Sequence, residues 1–126
     1  MLCFSAFAQI QQAWVAKYNN GVTNGNNQAL KMMLDSTGNI YVCGFSATTN
    51  GGTGYATLKY APNGVLLWSA RFDSTNYPAT EALAFAFDAS NNVLVTGTAI
   101  TAKYATNGQP MWTVPYNGLS VATDTN

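Results

Sequence analysis

Asp73 and Glu81 are the two acidic side chains that stand outside any repeating pattern in this chain. A pair of carboxylates can run glycoside hydrolysis. These two sit in or beside one loop and read as solvated charges. The chain has no histidine, which removes the commonest general base and metal ligand. It has no Gly-x-Ser-x-Gly elbow and no glycine-rich phosphate loop after a strand. Asp35 heads a turn that lacks the alternating ligands and distal Glu of a calcium loop, so Asp35 and Asp88 read as turn residues. Trp14, Trp68 and Trp112 have the shape of stacking platforms for a sugar or a base. Their recurrence at one position of a repeat favours packing between sheets instead. What remains is a set of loop amides, Asn24, Asn26, Asn27 and Asn50, with one aromatic face, Tyr77. Amides offer donors and acceptors together, which suits a glycan or a protein loop. No catalytic residue, metal ligand or cofactor is expected.

The elements that position these groups follow from a repeat. Each tryptophan opens a short apolar run, as in Trp68-Ser69-Ala70-Arg71-Phe72, and the Trp-to-Trp steps are 54 and 44 residues. Periods of that size belong to propeller blades or solenoid units. Within the period two intervals are constant. Gly44 and Gly97 each follow an Asp, Asp35 and Asp88, by nine residues, and Trp68 and Trp112 each follow a Lys, Lys59 and Lys103, by nine. The first interval contains a turn in which Asp bonds its own backbone and Gly38 or Asn91 takes the positive-φ position. The second contains Ala61-Pro62-Asn63-Gly64 or Ala105-Thr106-Asn107-Gly108, and Asn-Gly between alternating strands signals a hairpin. Hairpins fix register, and a one-residue slip would turn every side chain to the wrong face.

Between the turns the chain alternates with period two, as strands do. Leu30, Met32 and Leu34 match Leu83, Phe85 and Phe87, then Leu119, Val121 and Thr123. No segment has helical periodicity with caps. The expected fold is all-β: a β-propeller fragment of about two four-stranded antiparallel blades in an incomplete ring. The expected layout is a strand at 13–18, one blade at 29–72, a second at 82–116, and the start of a further blade at 118–126. The constant turns then fall at one end of each blade. The elastic segments, Asn19 to Gln28, Ala47 to Gly54 and Asp73 to Thr80, fall at the other. Length variation gathered on one face of a repeat protein points to its binding side.

The start of the chain, Met1-Leu2-Cys3-Phe4-Ser5-Ala6-Phe7-Ala8, reads as a clipped secretory signal peptide over 1–8, with Ala6-Phe7-Ala8 as a small-x-small cleavage signature. The propeller portion is then 9–126, and the chain reads as a fragment of a longer array whose open faces favour self-association or loose folding. Cys43 lies mid-strand and reads as a buried free thiol. Five acidic and five basic side chains balance, which leaves no electrostatic footprint for nucleic acid or an anionic membrane. No apolar run is long enough to span a bilayer as a helix. Lys59 and Lys103 read as strand lysines whose stems cover apolar surface.

Trp14-Val15-Ala16-Lys17-Tyr18-Asn19, Leu34-Asp35-Ser36-Thr37-Gly38-Asn39-Ile40-Tyr41-Val42 and Gly54-Tyr55-Ala56-Thr57-Leu58-Lys59-Tyr60 resemble the SBBP repeat, a bacterial seven-bladed β-propeller repeat family. Gly25-Asn26-Asn27 stands where that family often carries an acidic Gly-Asp-Asp-like segment. The resemblance implies a secreted or cell-envelope protein without general catalytic activity. From the repeat and the loop amides themselves, the expected partners are the remaining blades of a longer chain and a glycan or cell-surface protein. A second resemblance is carried by Gly64-Val65-Leu66-Leu67-Trp68 and Gly108-Gln109-Pro110-Met111-Trp112. These look like the Gly-x-x-x-Trp end of the tryptophan-docking motif of quinoprotein propellers, which implies either a pyrroloquinoline-quinone-dependent dehydrogenase or a structural assembly factor. The favoured expectation is a non-catalytic interaction or adhesion scaffold. The alternatives are a fragment of a quinone-dependent dehydrogenase or a carbohydrate-active enzyme with its catalytic residues elsewhere.

Overall fold

Eight strands run in sequence order through a computed structural model that describes residues 11–74, 76 and 79–124. Strands β1 (Asn27–Leu34), β2 (Ile40–Ala47), β3 (Thr53–Tyr60) and β4 (Leu66–Phe72) form one antiparallel sheet. Strands β5 (Ala82–Phe87), β6 (Val93–Gly97), β7 (Thr101–Tyr104) and β8 (Pro110–Val114) form a second. We call them sheet I and sheet II. Both are meanders in which each strand pairs with the next, neither closes into a barrel, and the described residues contain no helix. This is the all-β architecture of an incomplete propeller-like fragment, as the repeat implied.

The constant intervals correspond to the turns. Gly38 N–H donates to Asp35 O at 3.0 Å and Asn91 N–H to Asp88 O at 2.9 Å, with φ of 81° and 60° at Gly38 and Asn91. Asn therefore stands in for Gly at a left-handed position. The second turn bonds Gly64 N–H to Ala61 O at 2.9 Å and Ala61 N–H to Val65 O at 2.8 Å. Here the glycine, at φ 85°, supplies the left-handed residue and Asn63 does not. The hairpin is thus a turn closed by Gly, rather than one with both central residues left-handed. Its equivalent at Ala105–Gln109 has the same bonds.

Strict alternation fails at four places, and it fails in register in both sheets. Pairing skips Leu30 between Ala29 and Lys31, and Leu83 between Ala82 and Ala84. It skips Leu67 opposite Lys59 and Tyr60, and Met111 opposite Lys103 and Tyr104. Each is a bulge, which inserts one residue and increases local twist. Trp68 and Trp112 also lie inside their strands: β4 begins at Leu66 and β8 at Pro110.

Two expected strands differ from the layout. Residues 13–18 and 118–124 form no ladder, because among the described residues no strand lies beside either to supply the partner bonds. Residues 1–8, read as a signal peptide, and the last two positions of the expected third blade lie outside the described residues.

Each sheet has a near face, toward the chain start, and a far face. The main core is the far face of sheet I against the near face of sheet II. It contains Tyr41, Cys43 and Tyr55 from one side, and Phe85, Val93, Val95 and Tyr104 from the other. Tyr41 meets Phe87 edge-on at 4.7 Å, and Trp68 meets Tyr104 at 6.4 Å. Such rings each contribute about 1.5–3 kcal/mol through burial. The Tyr55 hydroxyl accepts from Ala99 and Ile100 N–H at 2.9 and 3.1 Å and donates to Ile100 O at 3.2 Å, which stitches β3 to the β6–β7 loop. A smaller cluster, Ala56, Leu58 and Tyr60 with Tyr18 against it, lies on the near face of sheet I.

Candidate functional site

The two ends of the sheets differ in how their polar groups are used. At the constant-turn end, Asp35 Oδ1 accepts from Thr37 N–H at 2.9 Å, Thr37 Oγ1 at 2.7 Å and Asn39 N–H at 3.0 Å, and Oδ2 accepts from Asn39 Nδ2 at 2.8 Å. Lys59 Nζ lies 3.7 Å from Oδ2, also donates to Thr106 O at 3.4 Å, and stands over the Tyr41 ring at 4.9 Å. Burial pushes the Asp35 carboxyl upward, but the bonds from Asn39 and Thr37 outweigh it and hold it at about 2. Asp88 repeats the arrangement with Lys103 at 2.7 Å, and its carboxyl is lowered first by Lys103 and then by Asn92. These carboxylates are consumed by their own turns. Among the described residues no group of three His, Cys, Asp or Glu side chains could hold a metal ion.

At the other end, the β2–β3 loop, residues 20–22 and the end of β4 enclose a polar cleft of about 360 Å³. Arg71 organises it. Its Nη1 donates to Ser46 Oγ at 2.5 Å, and its Nη2 to Ala47 O at 3.1 Å and to Asp73 Oδ1 at 2.7 Å. Burial disfavours the guanidinium charge, but the Tyr18 hydroxyl and Asp73 outweigh it and raise its pKa. Asn20 Nδ2 donates to the same Ala47 carbonyl, and Asn20 Oδ1 accepts from Val22 N–H at 3.1 Å. The β2–β3 loop is shaped by Thr48, whose N–H donates to Gly52 O at 2.9 Å and whose Oγ1 accepts from Gly52 N–H at 3.0 Å. Thr49 and Asn50 then project at its exposed tip. The lining thus offers amides, hydroxyls, a fixed cation and a half-exposed carboxylate.

The expected site residues divide. Asn50 lines this cleft. Asn24 and Asn26 are exposed beside it but do not line it: Asn24 takes the left-handed backbone at φ 56°, and Asn26 contributes its carbonyl to Ala47 N–H at 2.9 Å. Asn27 is not a loop residue. It is the first residue of β1, and its Oδ1 accepts from Ser46 Oγ at 2.5 Å. Tyr77 lies outside the described residues. Asn20, Arg71 and Asp73 were not singled out as binding groups. Asn20 was within the elastic segment, and an Arg two residues before an Asp at the same loop mouth was the available signal. Asp73 is bound by Arg71 rather than set as one half of a carboxylate pair with Glu81. Cys43 is a buried free thiol pushed up to about 12 by burial, with Lys31 opposing weakly.

No protein-family model matches this sequence, and none of the curated proteins matches it. Among the described residues no helix is long and apolar enough to cross a membrane.

Proposed function

We propose that this chain is a non-catalytic propeller repeat module of SBBP type that works at the cell envelope or outside it as an interaction or adhesion scaffold. Its ligand would be a glycan or a cell-surface protein loop held in the cleft at Asn20, Asn50, Arg71 and Asp73. The observation that carries this reading is the asymmetry between the ends. The constant turns use their polar atoms internally, whereas the elastic loops bring amides, hydroxyls and the Arg71–Asp73 pair to one concave surface. A fixed cation beside a carboxylate supplies donors and acceptors to neighbouring hydroxyls, which is the chemistry of polyols and of peptide loops.

The test is a screen of the chain against a glycan array and envelope-protein extracts, followed by substitution. Asn50→Ala and Asp73→Ala should weaken any binding tenfold or more, and Asn63→Ala, at the opposite end, should leave it unchanged. Equal losses from Asn50→Ala and Asn63→Ala would remove the one-face reading.

A second reading is a fragment of a quinone-dependent dehydrogenase. The indoles of Trp14 and Trp68, which donate to Pro62 O and Thr106 O at 2.9 and 3.0 Å, favour it at the level of the repeat. Titration with pyrroloquinoline quinone that leaves its absorption spectrum unchanged would set it aside.

A further inference from the structure

Sheet II packs on sheet I by contacts whose counterparts recur on the two outer faces of the chain. Within the core, Phe87 of the near face of sheet II meets Tyr41 at 4.7 Å, and Trp68 of the far face of sheet I lies on the Thr106–Gly108 hairpin, its Nε1 donating to Thr106 O at 3.0 Å. The approach is so close that a Cβ at Gly108 would stand 2.7 Å from Trp68 Cδ2. On the near face of sheet I the repeat equivalents of Phe85 and Phe87 are Met32 and Leu34, which are 65% and 60% exposed. On the far face of sheet II the equivalent of Trp68 is Trp112, opposite Lys103 as Trp68 is opposite Lys59, and 41% exposed.

We propose that these faces are complementary and that a second copy of the chain docks head-to-tail. Trp112 of one copy seats on the Pro62–Gly64 hairpin of the next, and Met32 and Leu34 of that next copy pack toward Leu94 of the first. The hairpin is competent to receive an indole, because Trp14 already uses it: Trp14 Nε1 donates to Pro62 O at 2.9 Å, and a Cβ at Gly64 would stand 2.7 Å from its ring. Trp14 and the incoming Trp112 therefore compete for one seat. Residues 118–124 similarly cover part of the far face of sheet II, through Gly118 N–H to Gly97 O at 2.8 Å and the Thr123 hydroxyl to Phe87 O. Among the described residues neither covering segment carries a strand ladder, so a sheet that offers its whole face displaces it. The chain's balanced charge does not oppose the approach. A contact between two different faces repeats, and so builds a ring or an open array rather than a closed twofold pair. The docking residues Trp112, Met32, Leu34 and the Pro62–Gly64 hairpin do not line the loop cleft.

Sedimentation velocity on the 126-residue chain across micromolar concentrations is the test, with circular dichroism as a check on folding. The wild type should associate with rising concentration, and Trp14→Ala should do so at concentrations at least tenfold lower. Trp112→Ala and Leu34→Lys, each at an exposed position on a different face, should be folded and monomeric. Mixed together, they should form a one-to-one dimer, because each retains the face that the other lacks. Wild type and Trp14→Ala both remaining monomeric, undiminished association of Trp112→Ala, or a mixture that stays monomeric would each overturn the proposal.

Discussion

Asp35 shows how a single residue can look like a ligand and be a structural part. Its side chain is 6% exposed and accepts four hydrogen bonds from Thr37 and Asn39, with Lys59 beside it. A carboxyl held at about 2, against an ordinary value of 3.8, is a folded-state pKa below the unfolded one. The resulting stability is fully present above the unfolded value and is lost as pH falls through 3.8 toward 2. The stability measured by urea unfolding should therefore be lower at pH 2.5 than at pH 6 by about 1–2 kcal/mol on account of this residue. Asp35→Asn should flatten that part of the pH dependence while costing about 1 kcal/mol at neutral pH. Tyr41 poses the opposite case. Its hydroxyl is buried with no hydrogen-bond partner among the described residues, so Tyr41→Phe removes an unsatisfied group and keeps the ring that meets Phe87 and Trp68. The variant should melt at the same temperature as wild type or higher, whereas a loss of several degrees would indicate a bonded hydroxyl.

At the scale of the element, the hairpins carry the architecture. Gly108 has φ 84° and lies under Trp68, so Gly108→Ala combines backbone strain with a collision against the indole. It should cost about 2 kcal/mol or more in chemical denaturation, through the same mechanisms that make positive-φ glycines hard to replace. Gly51, also left-handed at φ 84° but with open space around it, should tolerate Ala with only the backbone part of that cost. The turns were legible because their chemistry is local: Asp bonds its own loop, and Gly or Asn takes the left-handed residue. The bulges at Leu30, Leu67, Leu83 and Met111 were not legible, because an extra residue is defined by what the partner strand leaves unpaired. Asn27 was misplaced for a related reason. The β1–β2 ladder extends to Asn27 opposite Ser46, two residues beyond the point where apolar alternation begins.

At the scale of the whole molecule, the repeat anticipated two four-stranded antiparallel sheets, and the chain contains them. Period two, constant turn spacing and repeated tryptophans all survive in a linear reading. The expected strand at 13–18 did not form a ladder, because a ladder depends on a neighbour and not on the segment's own residues. The candidate cleft was half legible. Its loops announced themselves by length variation, and Asn50 was among the expected groups. The Arg71–Asp73 pair was hidden because Arg71 occupies a repeat position and Asp73 a loop, and the fold joins those two roles. Burial of Cys43 between the sheets also gives a probe of their association. In a Cys3→Ser variant, the remaining thiol should react with a disulfide reagent only when the sheets separate, at a rate that follows global unfolding.

The central claim is that successive four-stranded sheets are stacked by an indole of one seated on a hairpin of the next. Nuclear Overhauser contacts from the Trp68 ring in an isotope-labelled chain test it most directly. The account predicts contacts from that ring to the Gly108 amide and α-protons and to Tyr104, with a matching set from Trp14 to Gly64 and Tyr60. A Trp68 ring with contacts only inside its own sheet, in a chain that otherwise shows the eight-strand pattern, would contradict it.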